Sequence, residues 1–215
     1  MHVQSDTGLT TFRGWTLRVR PATEAPARLL LLIHGWTGDE NSMWVFVRGF
    51  AAAFWIIAPR APYETKPDGY SWRPGAHARP TLDELHPAVE SLLELVDAYA
   101  EVNYLDAAEF DVMGFSQGAA MVNCMALLHP ERVRRAGVLA GFVPDGAEEY
   151  ARSLPLKGKP FFVAHGTQDE LVSVEIARRS VNFLERAGAN VQYCEDEVGH
   201  KVSASCLRAL QAFFS

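Results

Sequence analysis

Phe110-Asp-Val-Met-Gly-Phe-Ser-Gln-Gly-Ala-Ala120 is the stretch on which the reading of this chain turns. A short apolar run, Phe110 to Met113, is suited to a buried strand and stops at Gly114-Phe115-Ser116-Gln117-Gly118. Good helix formers follow from Ala119 to Leu128, with Met121, Met125 and Leu128 at helical spacing. A G-x-S-x-G pentapeptide between a strand and a helix has a mechanical meaning. The serine sits on a sharp turn that projects its hydroxyl clear of the backbone, and the flanking glycines leave room for that turn. Ser116 is therefore the candidate nucleophile.

Outward from this turn the chain alternates strand and helix patterns. Residues 12 to 20 alternate apolar and charged side chains over their second half, as a strand with one wet face does. Leu29 to Ile33 is five aliphatic residues in a row, the mark of a strand covered on both faces. The loop His34 to Gly38 follows, then a helix expected over Asn41 to Phe54 and a second buried strand over Trp55 to Ala58. Downstream of Ser116, strands are expected near Ala136 to Ala140, Phe161 to Ala164 and Val191 to Cys194. Helices are expected over Val174 to Ala187 and Ser203 to Phe214. Such alternation predicts an α/β fold of a single domain, a mainly parallel, doubly wound sheet flanked by helices.

Between these segments, residues 59 to 80 show no period and carry five prolines, at 59, 62, 67, 74 and 80. Loops of this length are usually functional or disordered, and Tyr70 and Trp72 favour an ordered one. Both follow a strand whose carboxyl end faces the expected catalytic side. They either line a substrate site or serve as packing anchors. After the loop, Leu82, Leu85, Val89, Leu92, Leu93, Val96 and Tyr99 mark a long amphipathic helix. Thr81 and Glu84 resemble a capping box, while Pro87 suggests that the regular helix begins only at His86 or Pro87.

Composition narrows the function classes. With 215 residues, 48% hydrophobic and 21% charged, the chain is long enough for one sizeable core. A formal charge of -6 argues against nucleic acid, and Arg132, Arg134 and Arg135 read as cations at a helix end. Cys124, Cys194 and Cys206 form no CxxC pair and no disulfide framework, which points to a reducing compartment. No basic and apolar leader opens the sequence and no run is long enough to span a bilayer, so a cytoplasmic protein is expected. A metal enzyme is not indicated, because no two histidines are spaced as ligands on one helix.

A serine hydroxyl needs a base beside it and a carboxylate to orient that base. Of seven histidines, His200 alone follows the last expected strand, with Gly199 giving the loop room to turn. His34 and His165 precede glycines at strand ends, where a structural role is expected. Asp169 and Glu170 are adjacent candidates for the acid, and the shorter Asp169 holds an imidazole with less freedom. Two backbone N–H donors are also required for the oxyanion. Gln117 supplies one directly after the nucleophile, and Trp36, in the loop after the first buried strand, supplies the other.

Leu31-Leu-Ile-His34-Gly35, Ala58-Pro-Arg-Ala-Pro62, Gly114-Phe-Ser-Gln-Gly118, His165-Gly-Thr-Gln-Asp169-Glu-Leu-Val172 and Gly199-His200 span nearly the whole chain. In this order they resemble the phospholipase/carboxylesterase family of α/β-hydrolases, which includes acyl-protein thioesterases. The resemblance implies a small serine esterase without cofactor, with Ser116, Asp169 and His200 as triad and Trp36 and Gln117 as oxyanion donors. The expected substrate is a small-molecule ester with a short to medium acyl chain, and Tyr70, Trp72 and Leu171 are candidate contacts to it, the first two from their place in the long loop, whose segment Gly69 to Pro74 departs from the family pattern. An acyl thioesterase or lysophospholipase is the alternative within the same chemistry. A non-catalytic ligand-binding protein on the same fold is the alternative of another class.

Overall fold

A computed structural model describes residues 8–66, 68–75 and 79–215. Residues 1–7 of the expected leaderless start, Pro67 and His77 lie outside them. The strands are β1 Gly8–Phe12, β2 Trp15–Arg20, β3 Arg28–Ile33, β4 Phe54–Pro59, β5 Tyr63–Glu64, β6 Tyr70–Ser71, β7 Phe110–Phe115, β8 Val133–Leu139, β9 Pro160–Gly166 and β10 Asn190–Asp196. The helices are α1 Leu82–Asn103, α2 Gln117–Leu128, α3 Val174–Arg186 and α4 Ala204–Phe214.

Eight strands form one sheet in the order β1-β2-β4-β3-β7-β8-β9-β10. From β4 to β10 every neighbouring pair is parallel, and β1 and β2 add an antiparallel edge. The β1–β2 hairpin turns at Arg13 and Gly14, both at positive φ (46° and 85°), the combination that matches the twist of the flanking strands. The expected mainly parallel, doubly wound α/β sheet is the observed one.

β3 shows why five consecutive aliphatics were needed. Strand side chains alternate between faces. Leu29, Leu31 and Ile33 enter one core with Leu85, Val89 and Leu92 of α1 and Met121 and Met125 of α2. Leu30 and Leu32 enter the opposite core with Met43, Phe50, Phe54 and, from α4, Leu210 and Phe214. Both faces are therefore covered by apolar side chains. α2 goes further than its expected single apolar face, since every residue from Gln117 to Leu127 is buried. That helix, which carries the Ser116 turn at its start, is buried along all but its last residue.

Four expectations need correction. The helix expected over Asn41 to Phe54 shrinks to a 3-10 helix, Ser42–Phe46. Asp39 accepts from the Asn41 backbone and the Ser42 hydroxyl and so holds the entry as a turn, and Gly49, at φ 89°, ends any helical course. α1 begins at Leu82, upstream of Pro87, because the Thr81–Glu84 capping box is formed in both directions and sets the start. Cys194 and Cys206 are joined by a disulfide between β10 and α4, which only tertiary proximity reveals. Cys124 alone remains free and buried, so the cysteines no longer argue for a reducing compartment. Trp72, the fourth, is described with the site. Among the described residues no helix is long and apolar enough to cross a membrane.

Candidate active site

β3, β7, β9 and β10 are parallel neighbours or near neighbours, so the loops at their carboxyl ends share one edge of the sheet. Ser116 stands after β7 with φ 54° and ψ -115°, a conformation that a non-glycine residue keeps only when its surroundings enforce it. The enforcement is visible. Its N–H donates to the Leu139 carbonyl at 2.8 Å, and its carbonyl accepts from Ala119 and Ala120 at 3.0 and 3.1 Å. A Cβ on Gly114 would collide with the Gly118 carbonyl, and one on Gly118 with the Ile33 carbonyl, so both positions must be glycine for the turn to close.

Asp169 stands in the loop between β9 and α3 and is buried. Its Oδ1 accepts the backbone N–H groups of Leu171 and Val172, each at 2.9 Å. Its Oδ2 faces Nδ1 of His200 at 2.6 Å. With that nitrogen donating to the carboxylate, the Nε2 lone pair of His200 is left free to accept a proton. Glu170, by contrast, is exposed.

His200 follows β10 in a loop tied back to the Asp169 loop, since Gln168 N–H donates to the Val198 carbonyl at 3.0 Å and Thr167 N–H to the Asp196 carbonyl at 2.9 Å. The Cys194–Cys206 disulfide brackets the same segment, with Cys206 buried in the core. The imidazole meets the Phe115 ring edge-to-face at 5.0 Å. Ser116 and His200 line a common cavity of about 660 Å³. No hydrogen bond joins them among the described residues, and catalytic hydrogen bonds of this kind commonly tighten only in the complex with substrate.

The turn after β3 closes the other side of the nucleophile. A Cβ on Gly35 would stand 3.3 Å from that of Ser116, so this backbone passes directly over the serine. Next to it the N–H groups of Trp36 and Gln117 have no backbone acceptor among the described residues. Thr37 N–H donates to the Tyr70 carbonyl and Tyr70 N–H to the Gly38 carbonyl, both at 3.0 Å, which fixes the turn against β6. His34 serves the same frame. Its Nε2 accepts from Ala61 N–H at 3.0 Å, which assigns the proton to Nδ1, 2.7 Å from the Gly35 carbonyl. Burial lowers the pKa of this imidazole and keeps it neutral. His165 is likewise structural, with Nε2 donating to the Val172 carbonyl at 2.8 Å.

The candidate substrate contacts separate. Trp36, half exposed, and Leu171, 77% exposed, line the 660 Å³ cavity and also a second one of about 360 Å³ on the Gln117 side of Ser116. Trp72 and Tyr70 line neither. The Trp72 indole is buried against Trp15, and its N–H donates to the His34 carbonyl at 2.8 Å. The Tyr70 ring lies under the Arg60 guanidinium, 4.7 Å away, with its hydroxyl accepting from the same group. Both are anchors of the long loop, and the expectation that they reach substrate is corrected accordingly. The sequence reading also missed the side chain of Gln117, whose Oε1 accepts from Trp72 N–H at 3.1 Å and whose Nε2 donates to Ser71 Oγ at 3.1 Å. It also missed Met43, Val45, Phe46, Phe115 and Val202, which make the larger cavity mainly apolar.

The sequence profile of the phospholipase/carboxylesterase family matches residues 16–215. A probable carboxylesterase of Oryza sativa is 28% identical over 128 residues, covering 59% of this chain and 48% of the relative. Acyl-protein thioesterase 1 of Debaryomyces hansenii is 26% identical over 196 residues, covering 80% of this chain and 83% of the relative. The match therefore spans about half the length of the rice relative and most of the yeast one. Among solved structures, a carboxylesterase from Mesorhizobium loti superposes with a TM-score of 0.81 at 22% identity, covering 96% of this chain and 97% of that one.

Proposed function

The chain belongs to the phospholipase/carboxylesterase family of α/β-hydrolases, and from that membership we propose that it hydrolyses carboxylic esters with short to medium acyl chains through an acyl-enzyme on Ser116. The observation that carries this reading is the 2.6 Å contact between Asp169 Oδ2 and His200 Nδ1 in a loop pair that shares a cavity with Ser116. Ser116 Oγ attacks the ester carbonyl while His200 Nε2 takes its proton. The resulting oxyanion receives the N–H groups of Trp36 and Gln117. Collapse breaks the bond to the alcohol, which leaves with the proton from His200. Water, activated by the same imidazole, then releases the acid and restores the serine.

The apolar cavity bounded by Met43, Val45, Phe46 and Val202 suits an acyl chain, and the smaller one on the Gln117 side is left for the alcohol. Acyl esters and acyl thioesters of graded chain length test the reading. Ester turnover that peaks at short to medium chains and disappears in Ser116→Ala is the expected result. A preference for thioesters would reassign the substrate and keep the mechanism. Absence of turnover on the entire panel, with ligands still bound, would make this a binding protein.

A further inference from the structure

Away from the catalytic edge, two histidines and a glutamate converge where α1 passes the end of α2. His86 and Glu90 stand one helical turn apart on α1, with Nε2 and Oε1 separated by 3.0 Å. His129, the residue that closes α2, points its Nε2 at the same Oε1 from 2.6 Å. Its backbone is fixed, because its N–H donates to the Met125 carbonyl at 2.8 Å and Pro130 follows. The three ligand atoms all lie within 4.8 Å of one another.

We propose that His86, Glu90 and His129 form a binding site for one divalent transition-metal ion of the zinc class. Two imidazole nitrogens and one carboxylate oxygen are the donor set that Zn²⁺ and its neighbours take, whereas Mg²⁺ and Ca²⁺ prefer all-oxygen sites. With metal–ligand lengths of about 2.0 Å, ligand atoms around a tetrahedral ion stand about 3.3 Å apart. The two separations from Glu90 Oε1, 3.0 and 2.6 Å, lie within about 0.7 Å of that spacing. Coordination through Nε2 requires the ring proton on Nδ1. For His129 that nitrogen has Oε1 of Glu131 3.7 Å away, beyond hydrogen-bond reach, so the ring would have to turn slightly to donate to it. All three side chains reach solvent, which gives the ion an entry path and leaves a fourth position for water.

The site lies at the far end of α2 from Ser116, about 18 Å away along a helix of twelve residues. Its effect is therefore structural, joining α1 to α2 across their contact. No pair of histidines on one helix announces it, because the second imidazole comes from another element.

Titration calorimetry with ZnCl₂ on the chelator-treated protein tests the assignment, with melting temperature followed in parallel. One Zn²⁺ per chain is expected, with a rise in melting temperature, and MgCl₂ should give neither. Both responses should vanish in His86→Ala and in His129→Ala and persist in His200→Ala, a control for metal captured at the catalytic histidine. Circular dichroism and ester turnover of the His86→Ala and His129→Ala variants verify that they remain folded. Zn²⁺ stoichiometry unchanged in both variants, or no saturable binding in the wild type, would overturn the proposal.

Discussion

The indole N–H of Trp72 donates to the carbonyl of His34 at 2.8 Å, which pins the proline-rich loop to the backbone two residues before the candidate oxyanion donor Trp36. Trp72 is among the largest fully buried side chains. Trp72→Ala should therefore lower stability by about 3 to 5 kcal/mol, the range for removing a buried aromatic. Every ester should slow by the same factor. Melting curves and kcat/KM for a short and a long ester check this, and a changed ratio between the two would return Trp72 to the substrate site.

Asp169 and Glu170 are adjacent in sequence and opposite in setting, one buried against His200 and the other exposed. Asp169→Asn keeps the shape but presents an amide to the imidazole and favours the wrong tautomer. A loss on the order of 10⁴ in kcat is expected, with KM little changed. Glu170→Gln should stay near wild type. Steady-state kinetics on both variants distinguish the two carboxylates, and a greater loss in Glu170→Gln would reverse the assignment.

Leu171 is 77% exposed, so its truncation should leave the melting temperature where it was. Its side chain borders both cavities at Ser116. Leu171→Ala should shift the ratio of long-chain to short-chain kcat/KM by roughly tenfold, the lower end of apolar pocket discrimination. The Asp169 contact is made by the Leu171 backbone and survives the change. An unaltered ratio would remove Leu171 from the substrate site.

His34 sets a pH dependence of stability. Burial lowers its folded pKa below the ordinary value of 6.5. Above that value the imidazole is neutral in both folded and unfolded chains and contributes no slope. Below it the unfolded chain binds a proton that the folded chain resists, so stability falls as pH drops from about 6.5 to the folded pKa. Acid loss from Glu40, whose carboxyl is held low by hydrogen bonds from Arg60, begins further down, below its ordinary 4.5. Urea melts across this interval should show a decline in the wild type. In His34→Gln, less stable throughout, the part of the slope above the carboxylate range should flatten.

Much of this architecture was legible because it rests on local pattern. Alternate residues of β3 feed two cores, which is what its unbroken five-residue aliphatic run between breakers pointed to. The Ser116 turn needed glycines that were visible at fixed offsets, and the chain order of Ser116, Asp169 and His200 pointed to loops that the sheet does bring to one edge. What escaped depends on partners far apart in sequence. Trp72 and Gln117 meet across 45 residues. Cys194 and Cys206 pair only because α4 packs beside β10, and the apolar cavity draws its walls from the segments that follow β3, β7, β9 and β10. Gly49 ended a helix that hydrophobic spacing alone favoured.

The central claim is that Ser116 Oγ is the nucleophile activated by His200. Reaction with a fluorophosphonate, followed by peptide mass spectrometry, tests it most directly, because the reagent phosphonylates only a serine whose proton is being removed. A single adduct on the peptide containing Ser116, lost in Ser116→Ala and strongly slowed in His200→Ala, is the predicted result. Undiminished labelling of Ser116→Ala, or an adduct confined to another residue, would contradict it.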